Sequence, residues 1–186
     1  LTAAGTWEIE AIRYNKDATV AVSRKNLVID LNSENKMRLN QVKVFPDDKF
    51  IVVYEDGQTD NELKFQRFNI NLNEVDSDPI KANTEICGTN ENSATVCSKK
   101  AYDGSVDIFS DNSFVIAWTQ DKYDSFSKGA FDSNSIRDIV FQRYNADATK
   151  AGSIEHIPLL EQHSQDHPLP LVLSDDSFMI AFVSEG

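Results

Sequence analysis

Glycine is scarce, with seven in 186 residues. Tight corners therefore fall to Asn and Asp, whose short side chains bond the local backbone and tolerate left-handed geometry. No window approaches 18 apolar residues, so no membrane-spanning helix is expected. Basic residues are outnumbered, 18 Lys and Arg against 30 Asp and Glu, for a net charge of −12. Nucleic acid and anionic membrane both need a basic face, so neither is expected as a partner. There is no Gly-rich phosphate loop, G-x-S-x-G elbow or H-E-x-x-H pair. There is no N-x-[ST] sequon either, so N-glycosylation is not expected, while O-glycans on Ser and Thr stay open. No amphipathic helical period stands out, because apolar residues alternate or run in short blocks. Neither an initiator Met nor a signal peptide precedes "LTAAGTW", which points to a processed chain or a segment of something longer. What is present, 40% hydrophobic and 10% aromatic residues, is the composition of a globular chain.

The two cysteines, Cys87 and Cys97, stand in "ICGTNENSATVC". Their closeness, the polar residues between them and the lack of other cysteines favour a disulfide closing a hairpin loop over two reduced thiols. Such a bridge adds about 3 kcal/mol on the chain-entropy argument and implies an oxidising compartment. Zinc is disfavoured, because no His follows at finger spacing.

The chain repeats itself. "PDDKFIVVYED", "SDNSFVIAWTQ" and "SDDSFMIAFVS" place Phe50, Phe114 and Phe178 at intervals of 64 residues. Six positions upstream stand Val44, Ile108 and Val172; three upstream, Asp47, Asp111 and Asp175; four downstream, Tyr54, Trp118 and Phe182. Strand, Asp/Asn turn, strand is a β-hairpin. The second strand is apolar on both faces: Phe50, Val52 and Tyr54 point one way, Ile51 and Val53 the other. That predicts a central strand buried between two layers, and the same around Phe114 and Phe178. A second signature, an aliphatic residue, three more, then Arg, an aromatic and Asn, recurs at Ile9/Arg13/Tyr14, Leu63/Arg67/Phe68 and Ile139/Arg143/Tyr144. A turn and a shorter strand are expected to follow, around 27–29, 79–81 and 156–158. This gives four strands per repeat, A to D.

The expected fold is all-β: four-stranded antiparallel sheets, resembling β-propeller blades, in about three repeats. The divisions are a half repeat of strands C and D over 1–39, repeats over 40–103 and 104–167, and a half repeat of strands A and B over 168–186. Joining the end to the start would set Phe178 21 steps from Arg13, between the 17 from Phe50 to Arg67 and the 29 from Phe114 to Arg143. Three closures are open: a three-bladed ring, a six-bladed ring of two chains, or an open polymer in which one subunit completes the next. The edge residues expected to meet are Tyr14, Phe178 and Ile180, from neighbouring subunits.

"HPLPLVLSDDSFMIAF" and "IVFQRYNADATKAGSI" resemble the tandem repeats of large bacterial and protist surface proteins, whose pattern runs D-G-x-F-V-V-x-W, then Q-R-[YF]-[ND]-A-D-G-T. The resemblance covers most of the chain. It implies an extracellular or cell-surface, propeller-like adhesin or coat component, and it implies no particular activity. The Gly of D-G-x-F is Asp48, Asn112 or Asp176 here.

Candidate chemistry is thin. His156, His163 and His167 with Asp166 form the one His cluster of the sequence; His163 and His167 read as residues of the loop leading into strand A, and solvated histidines are expected rather than metal ligands. Arg13, Arg67 and Arg143 invite comparison with the arginine triad of sialidases. One Arg at the same strand position in every repeat is instead the pattern of a structural residue, its stem packed and its head paired to an acid. Asp47, Asp111 and Asp175 are weak Ca²⁺ candidates, and Asx-type turns account for them without metal. No catalytic residue, no cofactor and no enzyme activity are expected. The function expected is a non-catalytic extracellular repeat subunit that assembles head-to-tail with itself into a fibre or coat. The alternative is a propeller module that binds glycan or protein, for which Tyr123 and Phe126 supply aromatics.

Overall fold

A computed structural model describes residues 7–30, 37–57, 62–84, 86–89, 95–98, 100–121, 137–157 and 164–185, with the backbone alone for 29–30, 86–89 and 95–98. Among these residues there is no helix. The strands are β1 (Trp7–Tyr14), β2 (Val20–Asp30), β3 (Arg38–Val44), β4 (Phe50–Asp56), β5 (Glu62–Phe68), β6 (Ile80–Lys81), β7 (Ile86–Thr89), β8 (Thr95–Ser98), β9 (Ala101–Ile108), β10 (Phe114–Asp121), β11 (Arg137–Tyr144), β12 (Glu155–His156), β13 (Gln165–Val172) and β14 (Phe178–Ser184). They form two four-stranded antiparallel sheets, β3-β4-β5-β6 and β9-β10-β11-β12, with two-stranded sheets β1-β2, β13-β14 and β7-β8. The architecture is all-β, as the alternating pattern requires. Among the described residues no sheet closes into a propeller.

Six hairpin turns share one construction. In each, the first residue's N–H donates to the carbonyl four positions on, and the fourth residue's N–H donates back: Phe45 N–H to Lys49 O at 2.8 Å and Asp48 N–H to Phe45 O at 3.0 Å, for example. The fourth residue is left-handed in every copy: Ala18, Asp48, Leu72, Asn112, Ala148 and Asp176, with φ from 60° to 69°. This is a type I turn closed by a left-handed residue. Asp and Asn tolerate the position; Ala and Leu carry a steric cost there of about 1 kcal/mol.

The turn fixes register. Phe50 pairs across β4-β5 with Phe68 and Ile51 with Arg67; Phe114 pairs across β10-β11 with Tyr144 and Val115 with Arg143. The two faces of β4 then enter different cores. Val52 and Tyr54 pack with Ile9, Leu27, Phe68 and Leu72, while Ile51 and Val53 pack with Phe65, Phe114, Ile116, Trp118 and Tyr144. The sheets are thus layers, each separated from the next by a core. Aromatic clusters repeat between layers. Phe114 meets Phe45 edge-on at 5.7 Å and Phe65 at 5.5 Å; Phe178 meets Phe109 at 5.9 Å and Phe141 at 5.6 Å.

Three expectations need correcting. β14 is not buried on both sides: Met179 and Val183 are 52% and 62% exposed, because no layer lies beyond its outer face among the described residues. The strand expected at 27–29 is the eleven-residue β2, drawn out because it pairs along all of β1 through bulges. His167 lies inside β13 rather than in a loop. Pro158, His163, Tyr123 and Phe126 fall outside the described residues.

Candidate functional site

The strands β3, β9 and β13 lie side by side, with β9 in the middle. Each breaks its ladder at the same place: Asn40 between Leu39 and Gln41, Asp103–Gly104 between Tyr102 and Ser105, His167–Pro168 between Asp166 and Leu169. A bulge re-aims side chains and recurs beside functional sites. Asp103 and His167 adopt φ of 51° and 57°. Gly104 is favoured by close approach, since a Cβ there would run into the end of the buried Leu63 side chain.

The three bulges line one open cleft of about 390 Å³. Asp103, on β9, is among its lining residues, with Arg38 Nη1 at 3.6 Å from Oδ1 and His167 Nε2 at 3.7 Å from Oδ2. Buried Glu55 braces the wall: its Oε1 accepts from Asn40 Nδ2 and from the Asp103 N–H, both at 2.9 Å. Gln41 Oε1 accepts from Val106 N–H at 2.6 Å, and the Ser105 hydroxyl donates to Pro168 O. Beside the cleft Arg137 reaches Asp166 at 3.1 Å, Asp121 at 3.6 Å and the Tyr102 ring at 5.3 Å. The arrangement offers a carboxylate, a guanidinium and an imidazole to a polar ligand. The sequence reading missed it. Its legible signals were an isolated strand Gly at 104 and a Pro at 168 in a strand, both marks of a bulge.

The repeated arginines behave alike in two copies. Arg13 Nη1 donates to Ile70 O at 3.2 Å, in the turn of the following sheet. Arg67 donates to Ala146 O and to Asp147 O (3.3 Å), again in the following turn, and is held by Asp76 at 2.6 Å. Asp76 was not picked out from the sequence. Arg143 instead lies over the Phe109 ring at 5.4 Å.

Phe114, Tyr54 and Trp118 are fully buried, whereas Tyr14 is 56% exposed and Phe50, Phe178, Ile180 and Phe182 are half-buried. β1 and β14 do not pair with each other in this chain. The acidic corners close turns. Asp111 Oδ1 accepts from the Ser113 N–H and hydroxyl, Asp175 Oδ1 from those of Ser177, and Asp47 takes the Lys49 N–H and ammonium. These donors, hydroxyl or ammonium foremost, hold all three carboxyls below the ordinary aspartate range. Among the described residues no group of three or more His, Cys, Asp and Glu is placed to hold a metal. Across β7-β8, Cys87 is the direct partner of Cys97 in register.

No protein-family model and no curated protein matches the chain. Among solved structures, an endo-arabinase from Bacteroides thetaiotaomicron, an enzyme of β-propeller fold, matches with a TM-score of 0.50 at 13% identity over 86% of this chain. The chain spans 56% of that protein's length. The likeness is one of fold. It nevertheless overturns the flat expectation of no enzyme activity, because the similar structure is that of an endo-arabinase.

Proposed function

We propose that the chain is an extracellular, propeller-type repeat subunit that assembles with copies of itself by strand complementation, as part of a surface fibre or coat. The carrying observation is the internal equivalence of the strands. β4 pairs with β5 and β10 with β11 in one register, whereas β14, the equivalent of β4 and β10, and β1, the equivalent of β5 and β11, each keep an edge unpaired among the described residues. Carried over, that register sets Phe178 opposite Tyr14, Met179 opposite Arg13, Ile180 opposite Ile12 and Ala181 opposite Ala11 of a second copy. Phe114 stacks on Tyr144 at 5.0 Å and Phe50 on Phe68 at 5.4 Å, so Tyr14 is expected to stack on Phe178. Exposed Trp7, Ile12, Tyr14, Met179 and Val183 are the apolar surface this would cover. The half repeats at 1–39 and 168–186 would then make up one blade, in line with the resemblance to tandem surface repeats. A Cys87–Cys97 bridge fits the same compartment. Directly opposed residues stand about 4.5–5.5 Å apart at Cα, within the span a disulfide needs.

Bonding alternates along a strand, and the Leu173–Ser177 and Asn15–Thr19 pairs face inward. The N–H groups of Phe178, Ile180, Tyr14 and Ile12 therefore face the free edges. Sedimentation velocity across a concentration series should show a growing ladder of species, and those four amides should exchange slowly only in the assembled protein. Ile12→Pro removes an edge donor and no inner one, and should leave single chains. A discrete two-chain particle would keep the pairing and replace the fibre with a ring. A single chain at every concentration, with these amides freely exchanging, defeats the reading.

The bulge-lined cleft favours a second reading, glycan binding, with cleavage open since the similar fold belongs to an enzyme. Titration calorimetry with an arabino-oligosaccharide, alongside reducing-end assay, tests it. Arg38→Ala and His167→Ala should abolish any heat or release observed, and no heat with wild-type protein removes this reading for that ligand.

A further inference from the structure

Arg67 and Arg13 each cross from their own sheet to the C–D turn of the next one. Arg67 donates to Ala146 O and Asp147 O, and Arg13 to Ile70 O. Aligned by their Asn, the turns Asn69–Asn73 and Asn145–Thr149 set Ile70 against Ala146 and Asn71 against Asp147. The third turn of this type is Asn15–Thr19, and it sets Lys16 and Asp17 in those places. It has the same closing bonds, Asn15 N–H to Thr19 O at 2.8 Å and Ala18 N–H to Asn15 O at 3.0 Å, and the same left-handed fourth residue. Within the chain no Arg reaches it among the described residues.

Arg143 is the third member of the arginine set. Its backbone pairs with Val115 as that of Arg67 pairs with Ile51. Its side chain is exposed, and among the described residues the guanidinium donates to no carbonyl. A donor without its turn and a turn without its donor thus stand at the two ends of one arrangement. Strand pairing of β14 with β1 of a second copy would lay the Asn15–Thr19 turn where the next sheet's turn belongs, beside Arg143.

We infer that Arg143 is an intermolecular clasp, donating to the carbonyls of Lys16 and Asp17 of the copy whose β1 pairs with β14. This rests on the strand-complementation reading and adds a specific polar anchor to it. The planar, forked guanidinium spans two adjacent carbonyls, as that of Arg67 does, and a lysine ammonium does not reproduce that geometry. The carbonyls are at the edge of a turn and accept regardless of side chain, which fits Ile, Ala and Lys all occupying the first position.

The test is the dissociation constant of the assembly by sedimentation equilibrium, for wild type, Arg143→Ala, Arg143→Lys and Ile12→Pro. Arg143→Ala should weaken assembly about tenfold or more, as expected for loss of hydrogen bonds from a charged donor. The dilute chain should stay folded, and Arg143→Lys should recover little. A photo-crosslinking residue at position 16 should capture a peptide containing position 143 from the neighbouring copy. If wild type assembles and Ile12→Pro does not, but Arg143→Ala matches wild type or the crosslink maps elsewhere, the clasp is wrong and the strand pairing stands. If wild type never assembles, both fall together.

Discussion

β10 and β14 begin almost alike, "FVIAW" and "FMIAF", yet they live in different surroundings. Phe114, Ile116, Ala117 and Trp118 are fully buried, while Phe178, Ile180 and Phe182 are half-buried and Ala181 is exposed. The side chains are not the cause. β10 has β9 on one edge and β11 on the other, a layer against its Phe114 face and another against its Val115 face. β14 has β13 on one edge and a single layer, through Phe109 and Phe141. An apolar strand of two-sided character records the burial it is suited to; its neighbours decide whether that burial is met.

The two arginines sharpen this contrast most. Arg67 is buried with Asp76 and two turn carbonyls, so Arg67→Ala leaves the largely buried Asp76 carboxylate with the backbone N–H of residue 67 but no cation, and should cost about 3 kcal/mol in urea unfolding. Arg143→Ala, at the equivalent position, loses the ring contact with Phe109 and an exposed charge attraction to Asp111, and should cost below about 1 kcal/mol in dilute protein. Equal costs would mean that the sheets beyond Arg143 are already in place within one chain. Next comes the same substitution at matched sites. Ile116→Ala should cost about 2–5 kcal/mol and Ile180→Ala clearly less, with the gap narrowing as the protein assembles. Gly104→Ala drives a Cβ into Leu63 between the layers and should cost about 1–3 kcal/mol. A melting temperature unchanged by it would show that Leu63 yields freely.

The smaller effects lie in the turns. Ala18→Gly relieves a left-handed alanine on the exposed β1-β2 hairpin and should stabilise by about 0.5–1 kcal/mol, read as a raised denaturation midpoint. Asp17, Asp47, Asp111, Asp147 and Asp175 are all held below their ordinary value near 3.8, chiefly by a hydroxyl or ammonium two residues on. A lowered folded pKa contributes stability above the unfolded value and loses it as pH falls through the folded one. Stability should therefore be level from neutral pH down to the ordinary aspartate range and decline below it. Asp111→Asn, which keeps an acceptor and cannot titrate, should flatten that decline slightly, and an unaltered acid profile would discount the turn carboxylates.

The strands themselves were legible from local pattern. Alternation, the Asp/Asn corners and the recurrence at Phe50, Phe114 and Phe178 place β3, β4, β9, β10, β13 and β14 within a few residues. The cleft was not legible. Arg38, Asp103 and His167 follow one another at intervals of 65 and 64 residues, and only the side-by-side lie of β3, β9 and β13 brings their bulges together. The Arg67–Asp76 pair was hidden for another reason: the acid sits in an irregular stretch whose path back to β5 has no periodic signal.

Sequence alone determined the period-two pattern, the corners and the hairpin registers, because each depends on residues a few positions apart and on short-range sterics. Tertiary structure alone decided which apolar faces are covered and which edges stay open, which arginine finds a turn, and where three bulges form one cleft. Those outcomes depend on what lies across a layer about 10 Å away, and a strand's own residues carry the capacity for that contact but not its presence.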